Sequence, residues 1–290
     1  MALVAHQHGK TRVRLGRVWR DELTHHFVEW SVDTMLLSDM AHAYLEGDNA
    51  GMTATDTQKN TVYYIAKQCD EKCSPEEFAI ALAKHLVDKY EKISKVTVSI
   101  EETPWERLTL NGAAHQHGFV CGSSGYRTVE VSYTKDAELA ISSGIKGLKV
   151  LKTTQSGFVG YVHDEFTTLP DTTDRILATS LTASWAYSSP PPSFDDAYQG
   201  VRAALLGAFF GPPEGGVYSP SVQFTLYQMA KAALDGEECV KSVKLRMPNI
   251  HFLPCKPVTC EAFENDVYVA TSEPHGDIEA TVAREDCPRE

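Results

Sequence analysis

The chain contains no run of about 18 apolar residues, so no stretch of it reads as a membrane-spanning helix. Its amino-terminal segment, Met1 to Lys10, has neither the apolar core nor the cleavage site of a secretory signal. Positive charge is in short supply: a net charge of −12 argues against nucleic acid as a partner. A small anion is still compatible, because a few local cations can dominate a cleft. No glycine-rich dinucleotide fingerprint and no P-loop is present. Cysteine shows no framework pattern either. The seven residues Cys69, Cys73, Cys121, Cys239, Cys255, Cys260 and Cys287 are an odd number at irregular spacings, which predicts reduced thiols in a reducing compartment. Cys69-x3-Cys73 and Cys255-x4-Cys260 lack the paired CxxC spacing of a zinc ribbon, and His6-Gln-His8 and His115-Gln-His117 each lack a third ligand nearby. No metal site is expected.

With 42% hydrophobic and 23% charged residues in 290, the chain has the composition of an ordinary soluble globule of one large domain or two smaller ones. Alternation predicts strands over residues 10–20 and 26–37, with Lys10, Arg12 and Arg14 on one face and Thr11, Val13 and Leu15 on the other. Residues 59–67 read as a helix with Thr55 or Asp56 as N-cap. Ser74-Pro75-Glu76-Glu77 is a capping box opening a second helix to about Tyr90. Strands follow at 95–102 and 118–132, the latter broken near Gly122. The second half repeats this order: strands at 139–151 and 176–187, helices at 193–209 and 220–234, strands at 239–247 and 266–271. Antiparallel strands with paired helices indicate an α+β plan, helices on one face of each sheet. The expected division is 1–136 and 137–290, with no residue-level repeat between the halves.

Between the strands at 139–151 and 176–187 lies a long connection, and ordered loops of that length are usually functional. It carries Phe158, Leu169 and Arg175, a set suited to a flat, anionic, apolar-faced ligand. A ring can stack on the phenyl face, and a guanidinium presents parallel donors to adjacent acceptors. Taken alone, Phe158 and Leu169 read as core anchors and Arg175 as a surface charge.

The segments Thr153-Thr-Gln-Ser-Gly-Phe158 and Phe166-Thr-Thr-Leu-Pro-Asp-Thr-Thr-Asp-Arg-Ile-Leu-Ala-Thr179 closely resemble the signature of the urate oxidase (uricase) family. Further matching motifs run from Gly9-Lys-Thr-Arg-Val13 to His251-Phe-Leu-Pro254, so the resemblance covers nearly the whole chain. It implies two tandem tunnelling-fold (T-fold) units, four chains closing into a barrel, and active sites at subunit interfaces. It also implies cofactor-independent chemistry without metal, flavin or haem, in which urate, dioxygen and water give 5-hydroxyisourate and hydrogen peroxide.

Carried over residue by residue, the resemblance makes Arg175 and Gln223 the clamp on the purine edge, with the Val222 backbone beside them. Phe158 would stack on the ring and Leu169 would wall the pocket. Thr55 and Asp56 would reach the site from a neighbouring subunit. Lys10, Thr55 and His251 would form a proton relay, since lysine at about 10.4 and histidine at about 6.5 can share a proton's removal and return through a hydroxyl. Asn249, two residues before His251 and so on the same side of an extended chain, would help hold oxygen or water above the ring. Read without the resemblance, Lys10 belongs to a solvated basic face and His251 is a hydrogen-bonded structural histidine. The alternatives are an inactive uricase-like binding protein and a T-fold enzyme acting on pterins. Family members in plants and animals carry a Ser-Lys-Leu peroxisomal address. The sequence here closes on Cys287-Pro-Arg-Glu290 and departs from that address; the resemblance implies a peroxisomal protein, and the departure leaves the cytoplasm as the other reading.

Overall fold

A computed structural model describes residues 1–69, 71–122, 124–137, 139–256, 259, 261, 266–271 and 273–285. The chain divides into two compact units, Met1–Gly144 with Pro190–Asp195, and Ile145–Ser189 with Asp196–Glu290.

In the first unit, strands β1 (His8–Asp21) and β2 (Thr24–Ser38) form a long hairpin. A short helix α1 (Ala41–Leu45) leads to α2 (Thr55–Gln68) and α3 (Pro75–Lys89). Strand β3 (Ile93–Glu102), the hairpin β4 (Trp105–Leu110) and β5 (Ala113–Cys121), and β6 (Tyr126–Thr134) follow. The sheet order is β1-β2-β3-β6, all antiparallel. Alternate residues of β2 (Trp30, Val32, Thr34, Leu36) are buried, as are Val96, Val98 and Ile100 of β3. Such period-two burial marks a sheet covered on one face. The cover is α3, whose Phe78, Leu82 and Leu86 recur every four residues and are fully buried. Phe78 stacks on Trp30 with ring centroids 4.8 Å apart. The capping box forms as read: Ser74 Oγ accepts from the Glu77 N–H at 3.2 Å, and Glu77 Oε2 accepts from the Ser74 N–H at 2.7 Å.

Strand β7 (Leu139–Lys152) carries the chain into the second unit. That unit contains β8 (Leu177–Tyr187), most of α4 (Phe194–Phe210), α5 (Val222–Gly236), β9 (Val240–Pro254), β10 (Tyr268–Thr271) and β11 (Asp277–Ala283). Strand β9 pairs with β8 on one side; on the other, β11 takes its first half and β10 its last residues. Leu181, Ala183 and Trp185 of β8 and Val243, Leu245 and Met247 of β9 line the covered face, against Leu226, Met229 and Ala233 of α5.

Strand β4, helix α1 and strand β11 are elements that the sequence pattern did not reveal, and β5 begins at Ala113, ahead of the expected start at 118. Strand β9 runs on to Pro254, beyond the expected end at Met247, and so includes Asn249 and His251. No disulfide joins Cys69, Cys73, Cys121, Cys239 or Cys255, while Cys260 and the segment at 287–290 lie outside the described residues. No helix among the described residues is long and apolar enough to cross a membrane.

Candidate active site

In the second unit the connection between β7 and β8 is stapled rather than slack. Ser156 bridges to Ser219 and Phe158 to Thr172. The Phe158 N–H donates to Thr172 O at 2.7 Å, the Thr172 N–H returns a bond at 3.1 Å, and the Arg175 N–H donates to Ser156 O at 2.8 Å. Gly157 is required at this point: a Cβ there would collide with the Tyr218 hydroxyl and the Thr172 carbonyl. The staple sets the Arg175 guanidinium over the Phe158 ring, 5.4 Å from its centroid.

The bridge to Ser219 brings the start of α5 alongside. Ser221 is its N-cap, accepting from the Phe224 N–H at 3.1 Å. Capping uses that one donor, and the helix leaves the N–H groups of Val222 and Gln223 at its open end. The Gln223 side chain is exposed and Val222 is buried. Asn249 lies opposite Thr179 on β8, and His251 opposite Thr271 on β10, so both occupy one side of β9 as alternation requires. Leu169 is half exposed, its carbonyl accepting from the Tyr161 hydroxyl. Tyr161, which nothing in the sequence singles out, stacks on Phe158 at 4.6 Å with an interplanar angle of 8°.

Three buried polar atoms of the described second unit lack a protein partner: Ser156 Oγ, Arg175 Nε and Thr179 Oγ1. Each belongs to a candidate residue or is bonded or paired to one. Burial lowers the Arg175 pKa, with Tyr218 and Tyr161 opposing the shift. Buried polar groups are normally paired, so an orphaned atom on a desolvated cation makes Arg175 a candidate point for a ligand.

In the first unit, Lys10 stands at a bulge. Lys10 pairs with Thr34 and Val13 with Val32, so β1 carries one extra residue between them, with Arg12 at φ 56°. The expected alternation fails here: Lys10 faces the side of buried Thr34 and Val32, not that of Arg14. A Cβ on Gly9 would strike the Thr34 carbonyl, so glycine permits the close approach. Thr34 Oγ1 donates to Gln58 Oε1 at 2.9 Å, linking β2 to the first turn of α2.

The expected N-cap is also corrected. Ala54 occupies it without a side-chain bond, Thr55 is the first helical residue, and both Thr55 and Asp56 are exposed. Asp56 instead accepts from Lys59 Nζ at 2.6 Å and Asn60 Nδ2 at 3.0 Å. Its carboxyl is held below the usual range by the Lys59 hydrogen bond and charge, and to a lesser degree by Lys10. Thus Lys10, Thr55 and Asp56 gather in one unit, and Phe158, Arg175, Val222, Gln223 and Asn249 in the other. The His115 and His117 rings meet edge to face at 4.6 Å. Among the described residues no group of three His, Cys, Asp or Glu side chains is arranged to hold a metal.

A family model for uricase matches residues 6–132 and 141–279. The chain belongs to the uricase family. Uricase-2 isozyme 2 of Glycine max is 50% identical to it, over 96% of this chain and 94% of that one. The uricase of Danio rerio is 37% identical over 96% and 93%. The crystal structure of uricase from Arthrobacter globiformis superposes with a TM-score of 0.91 at 35% identity, covering 100% of this uricase-family chain and 97% of that one. The α+β units are accordingly those of the T-fold.

Proposed function

We propose that the chain is a cofactor-independent urate oxidase, converting urate, dioxygen and water to 5-hydroxyisourate and hydrogen peroxide. The observation that carries the reading is the orphaned, partly desolvated Arg175 set over the Phe158 ring beside the open end of α5. That arrangement suits a flat anion: the guanidinium and the Gln223 amide meet its polar edge, and the phenyl ring meets its face. The Val222 N–H adds a further donor, and Leu169 closes the side of the pocket.

Lys10, Thr55 and His251 then form the proton relay. The relay removes a proton from bound urate to give the dianion, whose electron-rich ring passes an electron to dioxygen. A peroxide adduct follows, and water, held with Asn249, displaces hydrogen peroxide. The protein contributes orientation, proton handling and electrostatics. Thr55 and Asp56 reach the ring from a neighbouring copy of the chain, so the working unit is a homotetramer with sites at its subunit interfaces. The compartment is the peroxisome, and cell fractionation that finds the protein only in the cytosol overturns that part.

The test is urate consumption by chelator-treated protein with and without dioxygen, alongside Lys10→Met. Dioxygen-dependent loss of urate absorbance with peroxide release, nearly abolished in the variant, is expected. Well-folded protein that binds urate without turning it over, or activity lost with the chelator, overturns the reading.

A further inference from the structure

The backbone fixes where Phe158 stands but not how its ring is tilted. The bridge to Thr172 holds the main chain, while the two side-chain torsions of a half-buried phenylalanine remain to be set by its neighbours. The neighbour is Tyr161. Gly160, at φ 76°, takes a left-handed conformation that glycine adopts without steric cost, and the bend there lets Tyr161 fold back on Phe158. The two rings stand 4.6 Å apart and 8° from parallel. Tyr161 stacks on His163 as well, with centroids 4.4 Å apart at 22°, and His163 Nε2 lies 3.2 Å from Asp171 Oδ1. The Tyr161 hydroxyl donates to the Leu169 carbonyl. One side chain thus reaches both apolar members of the proposed pocket, Phe158 through its ring and Leu169 through its hydroxyl. Neither contact closes the loop, whose neck is pinned by backbone bonds from Phe158 to Thr172 and from Arg175 to Ser156.

We propose that Tyr161 is a positioning residue for the substrate. Its ring covers one face of Phe158 and so sets the angle of the other, which meets the purine; its hydroxyl holds the Leu169 wall in place. Tyr161 touches no reacting atom and acts through these two residues. An unsupported phenyl ring gives up rotamer freedom when a ligand stacks on it, whereas a ring already stacked has given it up beforehand. Aromatic pairs of this geometry are strong enough to change binding by roughly two- to tenfold. The purine face stays on the ring in ground state and transition state alike, so loss of Tyr161 raises KM and leaves kcat in place.

This role for Tyr161 rests on the urate oxidase reading, and the experiment separates the two. Wild type, Tyr161→Leu and Tyr161→Phe are compared as intact chains in urate turnover, in calorimetry with xanthine as a non-reacting purine, and as ligand-free crystals. Tyr161→Leu is expected to raise KM and the dissociation constant together by roughly two- to tenfold with kcat near wild type. Tyr161→Phe, which keeps the ring and loses only the hydroxyl, should recover most of the loss. In the Tyr161→Leu crystal the Phe158 ring should be turned or split between rotamers. Constants unchanged in Tyr161→Leu, or a fall in kcat with KM unmoved, overturn the proposal. Tighter binding overturns it too, because Tyr161 would then occupy the face that the purine needs. Tyr161→Phe no better than Tyr161→Leu overturns the part given to the ring. A wild type that neither binds xanthine nor consumes urate sinks the urate oxidase reading instead. The crystals then decide for Tyr161: an unmoved Phe158 ring overturns its positioning role, and a displaced one supports it.

Discussion

Lys10 stands directly across from Thr34 in the β1–β2 ladder, one residue out of step with Arg14, because Arg12 forms a bulge between Lys10 and Val13. The bulge is what turns an apparent member of a basic strand face toward the helix-covered side. Arg12 sits at φ 56° and donates its N–H to the Asp33 carboxylate, so the backbone conformation is anchored as well as permitted.

Arg12, like any residue with a Cβ, already meets the left-handed penalty of about 1–2 kcal/mol, and a β-branched side chain adds to it. Arg12→Val is expected to lower the melting temperature and to reduce kcat by displacing Lys10. Arg12→Gly, which accepts the same φ, should retain both. Thermal unfolding with steady-state urate kinetics on the two variants checks this.

Arg175 has its Nε buried and unpartnered in the protein, so its hydrogen bonds await an anion. A hydrogen bond to a charged group contributes about 1.5–3 kcal/mol. Arg175→Gln should therefore raise the dissociation constant for a urate analogue by roughly tenfold to a hundredfold. Arg175→Lys should recover little, because a point charge cannot reproduce the planar fork. Calorimetry with a non-reacting purine anion measures both.

Lys152 joins three parts of the second unit. Its Nζ donates to Phe209 O at 3.2 Å, Val217 O at 2.8 Å and Ser219 Oγ at 2.7 Å, and burial lowers its pKa. The Val217–Ser219 strip also staples the Phe158 loop and leads into α5. Lys152→Met is expected to lower the melting temperature and to raise the KM for urate, although Lys152 is assigned no contact with substrate. A change in stability alone, with KM unmoved, would show that the strip does not position the clamp.

Glu102 lies beneath Trp30, whose Nε1 donates to its carboxylate at 2.5 Å. Burial raises its pKa, Trp30 and Arg127 pull it down, and Glu76 and Asp195 add to the rise. A carboxyl raised on folding supplies stability that is complete below the ordinary glutamate value of about 4.3 and lost as pH climbs through the folded value. Glu102→Gln should thus match the wild type near pH 4 and exceed it at neutral pH. Glu76 shifts in the same direction and remains in the variant, so the pH slope is reduced, not removed. Urea unfolding midpoints across that range test it.

Much of the fold was legible because local chemistry and periodicity agree. The box at Ser74 and Glu77 needs only residues three apart, and alternation along β2 and β8 follows from one face being buried. Asn249 and His251 fall on one side of β9 for the same reason. Helix α1 spans too few residues to show a period, and β11 is mostly half-exposed or exposed, so hydrophobic pattern could not reveal either.

The amino-acid sequence by itself determined the family, the α+β order and the types of residue at the candidate site, since each is written in local spacing or in long ordered motifs. The tertiary structure decided which way Lys10 faces, that Ala54 rather than Thr55 caps α2, and that Arg175 lies over Phe158. Those depend on a bulge, a close approach at Gly9 and Gly157, and a bridge to Ser219 far along the chain. Contacts of that kind exist only once distant segments have been paired.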